Sequence, residues 1–79
     1  MVYIKKIFLE DNTVSYFYQP ENVGRYGEIS FNIKDESYEI LMVAEEDDND
    51  HVYIRHVLKK LKEYKYKNNF PEEEAIKWY

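Results

Sequence analysis

The period of the apolar residues changes once along this chain, and that change limits what it can fold into. Up to residue 44 the pattern is that of strands. Ile29, Phe31 and Ile33 alternate with Glu28, Ser30, Asn32 and Lys34, the two-residue period of a strand with one buried face. From residue 51 the period is helical. At ~100° per residue, Tyr53, Ile54, Val57, Leu58, Leu61 and Tyr64 fall on one stripe about 140° wide, with Arg55, His56, Lys59, Lys62 and Glu63 opposite. A run of strands followed by a single long amphipathic helix predicts an α+β fold: an antiparallel sheet with the helix packed across one face.

The strands are bounded by local chemistry. Residues 3–9 and 13–18 are rich in β-branched and aromatic residues, and Asp11-Asn12 between them suits a tight hairpin. Residues 19–27 hold Pro20 and both glycines and form the main loop. After strand 28–34 and a turn at Asp35-Glu36, residues 37–44 predict a fourth strand, with Tyr38, Ile40, Met42 and Ala44 on the core face. Leu41 and Val43 on its other face predict a more central position than that of the third strand. Helix 51–67 ends at Asn68-Asn69. Pro71-Glu72-Glu73-Glu74 then predicts a short second helix, with proline in its first turn and carboxylates at its positive end. The expected order is ββββαα: a four-stranded antiparallel sheet, one long helix on one face and a short C-terminal helix, in one domain spanning residues 1–79.

With 79 residues and no cysteine, the chain has no disulfide scaffold and no cysteine–zinc module. No signal-peptide pattern opens it, and no run approaches the roughly 20 apolar residues of a membrane span. The expectation is a cytoplasmic protein with no membrane partner. Nine tyrosines in 79 residues supply bulk for a small core, and tyrosine is also favoured at interfaces.

Charge is segregated. Glu45-Glu46-Asp47-Asp48-Asn49-Asp50 is acidic, whereas residues 51–70 carry six bases and one acid. A helix macrodipole accounts for both, with acids before the positive end, Asp50 as N-cap and Lys59, Lys60, Lys62, Lys65 and Lys67 toward the negative end. A calcium loop fails on spacing. Counted from Asp47, the sixth position is Val52 rather than glycine and the twelfth is Leu58 rather than glutamate. Glu45, Glu46, Asp47 and Asp48 could instead imitate nucleic-acid phosphates and inhibit a DNA-binding protein; that role, or weak RNA binding, is the alternative function of the chain.

Motifs for chemistry are thin. His51 and His56 are five residues apart, which places them on different helix faces and excludes an i, i+4 metal pair. Ser15, Ser30 and Ser37 lie in or beside strands, outside any glycine-framed elbow. Gly24-Arg25-Tyr26-Gly27 has the Gly-x-x-Gly form of an RNA-backbone clamp. It precedes a strand rather than joining two helices, so it is expected to be a glycine-assisted loop. Tyr16 and Tyr18 could stack RNA bases, but a formal net charge of −5 opposes phosphate binding. The expectation is no catalytic residue, no metal and no cofactor.

The segment Asn69-Phe70-Pro71-Glu72 with Trp78-Tyr79, following the helix with His56, resembles the tail of small uncharacterised bacterial proteins, and Gly27-Glu28-Ile29 is similar to them as well. The resemblance implies a bacterial, cytoplasmic, stand-alone domain and no particular activity. Phe70, Trp78 and Tyr79 are large rings near a terminus, which predicts that the tail docks on the sheet, on the helix or on a partner.

The function expected from these features is a non-enzymatic interaction protein that binds another protein or a second copy of itself. The candidate contact surface is the sheet face away from the helix, with Tyr16 and Tyr18, together with Arg25 and Tyr26 of the loop.

Overall fold

The computed structural model describes residues 1–47 and 51–78. Five strands form one antiparallel sheet: β1 (Val2–Glu10), β2 (Thr13–Pro20), β3 (Gly27–Asn32), β4 (Tyr38–Met42) and β5 (Glu73–Ile76), in the spatial order β4-β3-β2-β1-β5. A 3-10 turn (Glu45–Asp47) precedes helix α1 (Val52–Lys67), which covers one sheet face. The α+β class and the strand-then-helix order match the periodicity. The helix is not long and apolar enough to cross a membrane.

The first four strands are a meander. Asp11-Asn12 makes the two-residue turn between β1 and β2, with Asp11 in the left-handed region (φ 51°) and Glu10 paired with Thr13. The turn after β3 is held by the Asn32 side-chain oxygen, which accepts the Lys34 and Asp35 N–H groups at 2.9 and 3.1 Å. α1 ends where expected: Asn68 is left-handed and its N–H returns to the Lys65 carbonyl. The predicted stripe is the packed one. Ile54, Val57, Leu61 and Tyr64 are buried, and Tyr53 and Leu58 pack at its margins.

The expectations for the C-terminal segment and for the fourth strand are corrected. The segment after Pro71 is strand β5, not a helical turn, so among the described residues there are five strands and one α-helix. A single turn of helix fixes several residues for little hydrogen bonding. The free edge of β1 instead offers a full ladder, with Val2, Tyr3, Ile4 and Lys5 paired to Ile76, Ala75, Glu74 and Glu73. The three glutamates find partners across the fold rather than at a helix end. Glu72 pairs with Lys6 (3.2 Å), Glu73 accepts the Tyr3 hydroxyl (2.8 Å), and Glu74 accepts the Tyr64 hydroxyl. The bond to Glu73 is the main cause that holds the Tyr3 hydroxyl above the ordinary tyrosine pKa.

β4 is an edge strand, and β3 lies inside the sheet. With one helix covering one face, an interior strand keeps a solvated face, as Glu28, Ser30 and Asn32 do on β3. Two apolar faces therefore do not mark a central strand here. Tyr38 lies opposite Phe31 but is 53% exposed at the edge, so it does not belong to the core. A register shift between Glu28 and Ile29 pairs Ile40 with Ile29 but Met42 with Glu28, which moves Met42 to the open face. The N-cap expected at Asp50 lies outside the described residues. His51 caps α1 in the left-handed conformation without a side-chain bond. The carboxylate that receives the helix N-terminus is that of Asp47, which accepts the N–H groups of Tyr53 and Ile54, each at 3.2 Å.

The helix is tied to the sheet through β2. Tyr18 is fully buried, and its hydroxyl accepts the Ala44 N–H (3.0 Å) just before the turn into α1. Tyr16 is also fully buried and donates to the Pro71 carbonyl (2.6 Å) just after α1. The Tyr18 ring lies across Gly27, its cross-strand partner. A Cβ at Gly27 would sit within clashing distance of that ring and 2.6 Å from the Ala44 nitrogen. Gly27→Ala must therefore displace the ring or the backbone at the helix entrance. The expected cost is about 2–3 kcal/mol in denaturant unfolding, and a variant as stable as the parent would contradict this packing.

Burial, as the main cause, pushes the Tyr18 hydroxyl up to about 12; the Ala44 N–H opposes the rise, and the Asp47 carboxylate adds to it. Tyr16 is raised as well, first by burial and then by Glu72 and Glu74. A tyrosine that holds its proton more tightly when folded contributes stability that is complete below the unfolded value near 10. That contribution is lost as pH rises from there through about 12. Tyrosinate absorbance should rise in two phases, with the second coinciding with loss of circular dichroism. A single phase with the fold intact would exclude it.

Candidate protein-contact face

The ladder register assigns every sheet side chain to a face. On the helix side lie Val2 and Ile4 of β1, Val14, Tyr16, Tyr18 and Pro20 of β2, and Ile29 and Phe31 of β3, all buried. Tyr16 and Tyr18 therefore leave the candidate contact surface. They are core residues whose hydroxyls anchor both ends of the helical segment, and neither ring can receive a partner or a nucleic-acid base. The strand parity is the reverse of the one expected, and Phe17 takes their place on the open face.

Phe17 pairs with Lys5 on one side and Glu28 on the other. Its ring meets Tyr26 with centroids 5.8 Å apart. Phe8 lies opposite Ser15, diagonal to Phe17, because a bulge at Ile7 shifts the register of β1 by one residue. Met42 lies opposite Glu28. Phe8, Phe17, Tyr26 and Met42 are 41%, 39%, 43% and 49% exposed. Together they form an apolar surface on the side of the sheet that, among the described residues, no element covers. Ser15, in the middle of this face, is only 1% exposed, so the neighbouring side chains close over it. Beyond the patch, Thr13, Ser30, Asn32, Ser37 and Glu39 line a shallow polar hollow with Tyr38 at its rim.

The two loop residues have separate roles. Tyr26 remains on the surface beside Phe17. Arg25 is tied into the fold: its guanidinium donates to the Val43 carbonyl (3.3 Å), and its own carbonyl accepts the Glu45 N–H (3.1 Å). Gly24 is left-handed (φ 81°), and its carbonyl accepts the Gln19 amide (2.7 Å). This is a knitted loop feeding β3, as the flanking sequence indicates, rather than a clamp between helices.

The acidic run is divided. Glu45 and Glu46 are exposed, Asp47 is buried and spent on the helix N-terminus, and Asp48 lies outside the described residues. Among the described residues no group of three or more His, Cys, Asp or Glu is placed to hold a metal ion. His56 is stacked on Trp78, with centroids 3.8 Å apart and planes 4° from parallel, and Trp78 meets the edge of Tyr53. Phe70 packs edge-on against Tyr64. The tail thus docks on the helix, while Tyr79 lies outside the described residues.

Phe17, Phe8 and Met42 were missed because their exposure depends on two register shifts and on the parity of β2. The odd position of Phe17 between two tyrosines was the available signal. No family model matches the chain, and neither the curated proteins nor the solved structures contain a match.

Proposed function

We propose that the chain is a non-enzymatic protein-binding module whose contact surface is the open sheet face. The observation that carries this reading is the patch of Phe8, Phe17, Tyr26 and Met42, four large apolar side chains gathered on the face opposite the helix. Single exposed apolar residues are ordinary, but several large ones gathered on one uncovered face among polar groups are characteristic of an interaction site. Its anatomy suits a protein partner: aromatic rings at the centre, a methionine on the edge strand beyond Glu28, and the hydroxyls and amide of the polar hollow to one side. The acidic total charge and the burial of Tyr16 and Tyr18 favour this over a base-stacking surface.

A photo-crosslinking amino acid placed at Phe17 tests the reading in the cell that produces the protein. Defined protein adducts are expected at position 17. They should be absent with the same probe at Tyr66, which is 93% exposed on the helix side of the molecule. Phe17→Ser, at an exposed site, should leave the unfolding midpoint within a few degrees and lower partner affinity by about ten-fold or more. Equal labelling from positions 17 and 66, or none from 17, would refute a dedicated contact face.

A further inference from the structure

One rank of the open face runs across all five strands: Glu73, Lys5, Phe17, Glu28 and Met42, in the order β5, β1, β2, β3, β4. Phe17 is its centre. Lys5 and Glu28 stand one strand away on either side, so about 10 Å separates them at the ordinary strand spacing. Among the described residues neither forms an ion pair. Glu73, the acid nearest to Lys5 along the rank, instead receives the Tyr3 hydroxyl. An apolar residue flanked symmetrically by one unpaired positive and one unpaired negative group is self-complementary under a two-fold rotation.

We propose, on the footing that this face is a contact surface, that its partner is a second copy of the chain, docked face to face about a two-fold axis parallel to β2. Rotation about that axis sets Phe17 against Phe17 of the second copy. It carries β1 over β3, so Lys5 meets Glu28 of the second copy and Glu28 meets its Lys5. Two ion pairs then flank one aromatic centre, the isologous arrangement of a closed dimer. Sheets packed this way lie about 10 Å apart with strands nearly aligned, within reach of lysine and glutamate side chains. A two-fold axis across the strands would instead place Lys5 on Lys5 and Glu28 on Glu28, so charge selects one orientation of the pair. Tyr26, beside Phe17, and Phe8, diagonal to it, enlarge the apolar centre. The exposed apolar surface of α1, of which Tyr66 is the main part, stays outside.

Sedimentation velocity of the full chain, from about 1 µM to 1 mM, is the first measurement, because contacts of this size span that range. A reversible dimer is expected. Lys5→Glu alone, or Glu28→Lys alone, turns both attractive pairs into like-charge pairs and should weaken the dimer about ten-fold or more. The combined K5E/E28K exchange restores opposite charges and should return the dissociation constant to within about three-fold of the parent. Circular dichroism on each variant separates loss of pairing from loss of fold, and the exchange variant serves as a second control. A dimer unaffected by either reversal, or not restored by the exchange, overturns the geometry. A monomer at every concentration overturns the self-pairing. If Phe17 still gives adducts with a different protein, the contact-face reading survives that result; if it gives none, both fail.

Discussion

Two tyrosine hydroxyls on the central strand determine where the helix can lie. Tyr18 receives the backbone just before the turn into α1, and Tyr16 holds the backbone just after it, at Ala44 and Pro71. The chain between those two points has its ends fixed to one strand two residues apart in sequence. Each ring also fills core volume, so one residue supplies both the packing and the polar tether. For a domain with a small core this economy is decisive, because few side chains can be buried without a second role. Gly27 is part of the same device: only a residue without a Cβ leaves room for the Tyr18 ring to cross β3 and reach Ala44.

The acidic residues follow from this arrangement. Asp47 sits next to the Tyr18 tether and turns its carboxylate to the helix N-terminus. Glu21 accepts both the chain's amino terminus (2.8 Å) and the Tyr53 hydroxyl (3.0 Å). Glu72, Glu73 and Glu74 close the other end through Lys6, Tyr3 and Tyr64. Part of what reads in sequence as surplus negative charge therefore serves as acceptors within the fold, with Glu21, Glu73 and Glu74 each receiving a tyrosine hydroxyl. Surface pairs of this kind are individually worth little, and they accompany the ladder that joins the C-terminal segment to β1.

The helix, its packed stripe, its C-terminal asparagine and the first hairpin were legible because each rests on local chemistry. The parity of β2 was not. Tyr16, Phe17 and Tyr18 are consecutive aromatics, so hydrophobicity cannot say which of them faces the helix, and a one-residue error exchanges the entire set. The bulge at Ile7 and the shift at Glu28 add the same ambiguity to β1 and β4. β5 was hidden for a different reason. Pro71 and three glutamates satisfy the local rules for a helix start, and only the unpaired edge of β1, distant in sequence, makes a strand the better choice. The candidate contact face inherited these errors: it was sought on the open side of the sheet but assigned to Tyr16 and Tyr18, which point to the helix side.

The same alternation accounts for a surface that is otherwise hard to explain. A sheet covered by one helix needs only one apolar face, and polar residues on the other would serve solubility. β3 meets that expectation with Glu28, Ser30 and Asn32. β2 does not, because Phe17 stands between two core tyrosines with Tyr26 against it, and the bulge in β1 brings Phe8 onto the same face. None of these side chains contributes to the helix-facing core, and the helix would pack equally well over β2 if position 17 were polar. Their presence is therefore not required by the helix-facing core. An apolar group left partly in water outside the core is a liability for solubility, and the surface on which these residues converge is the one a partner would cover.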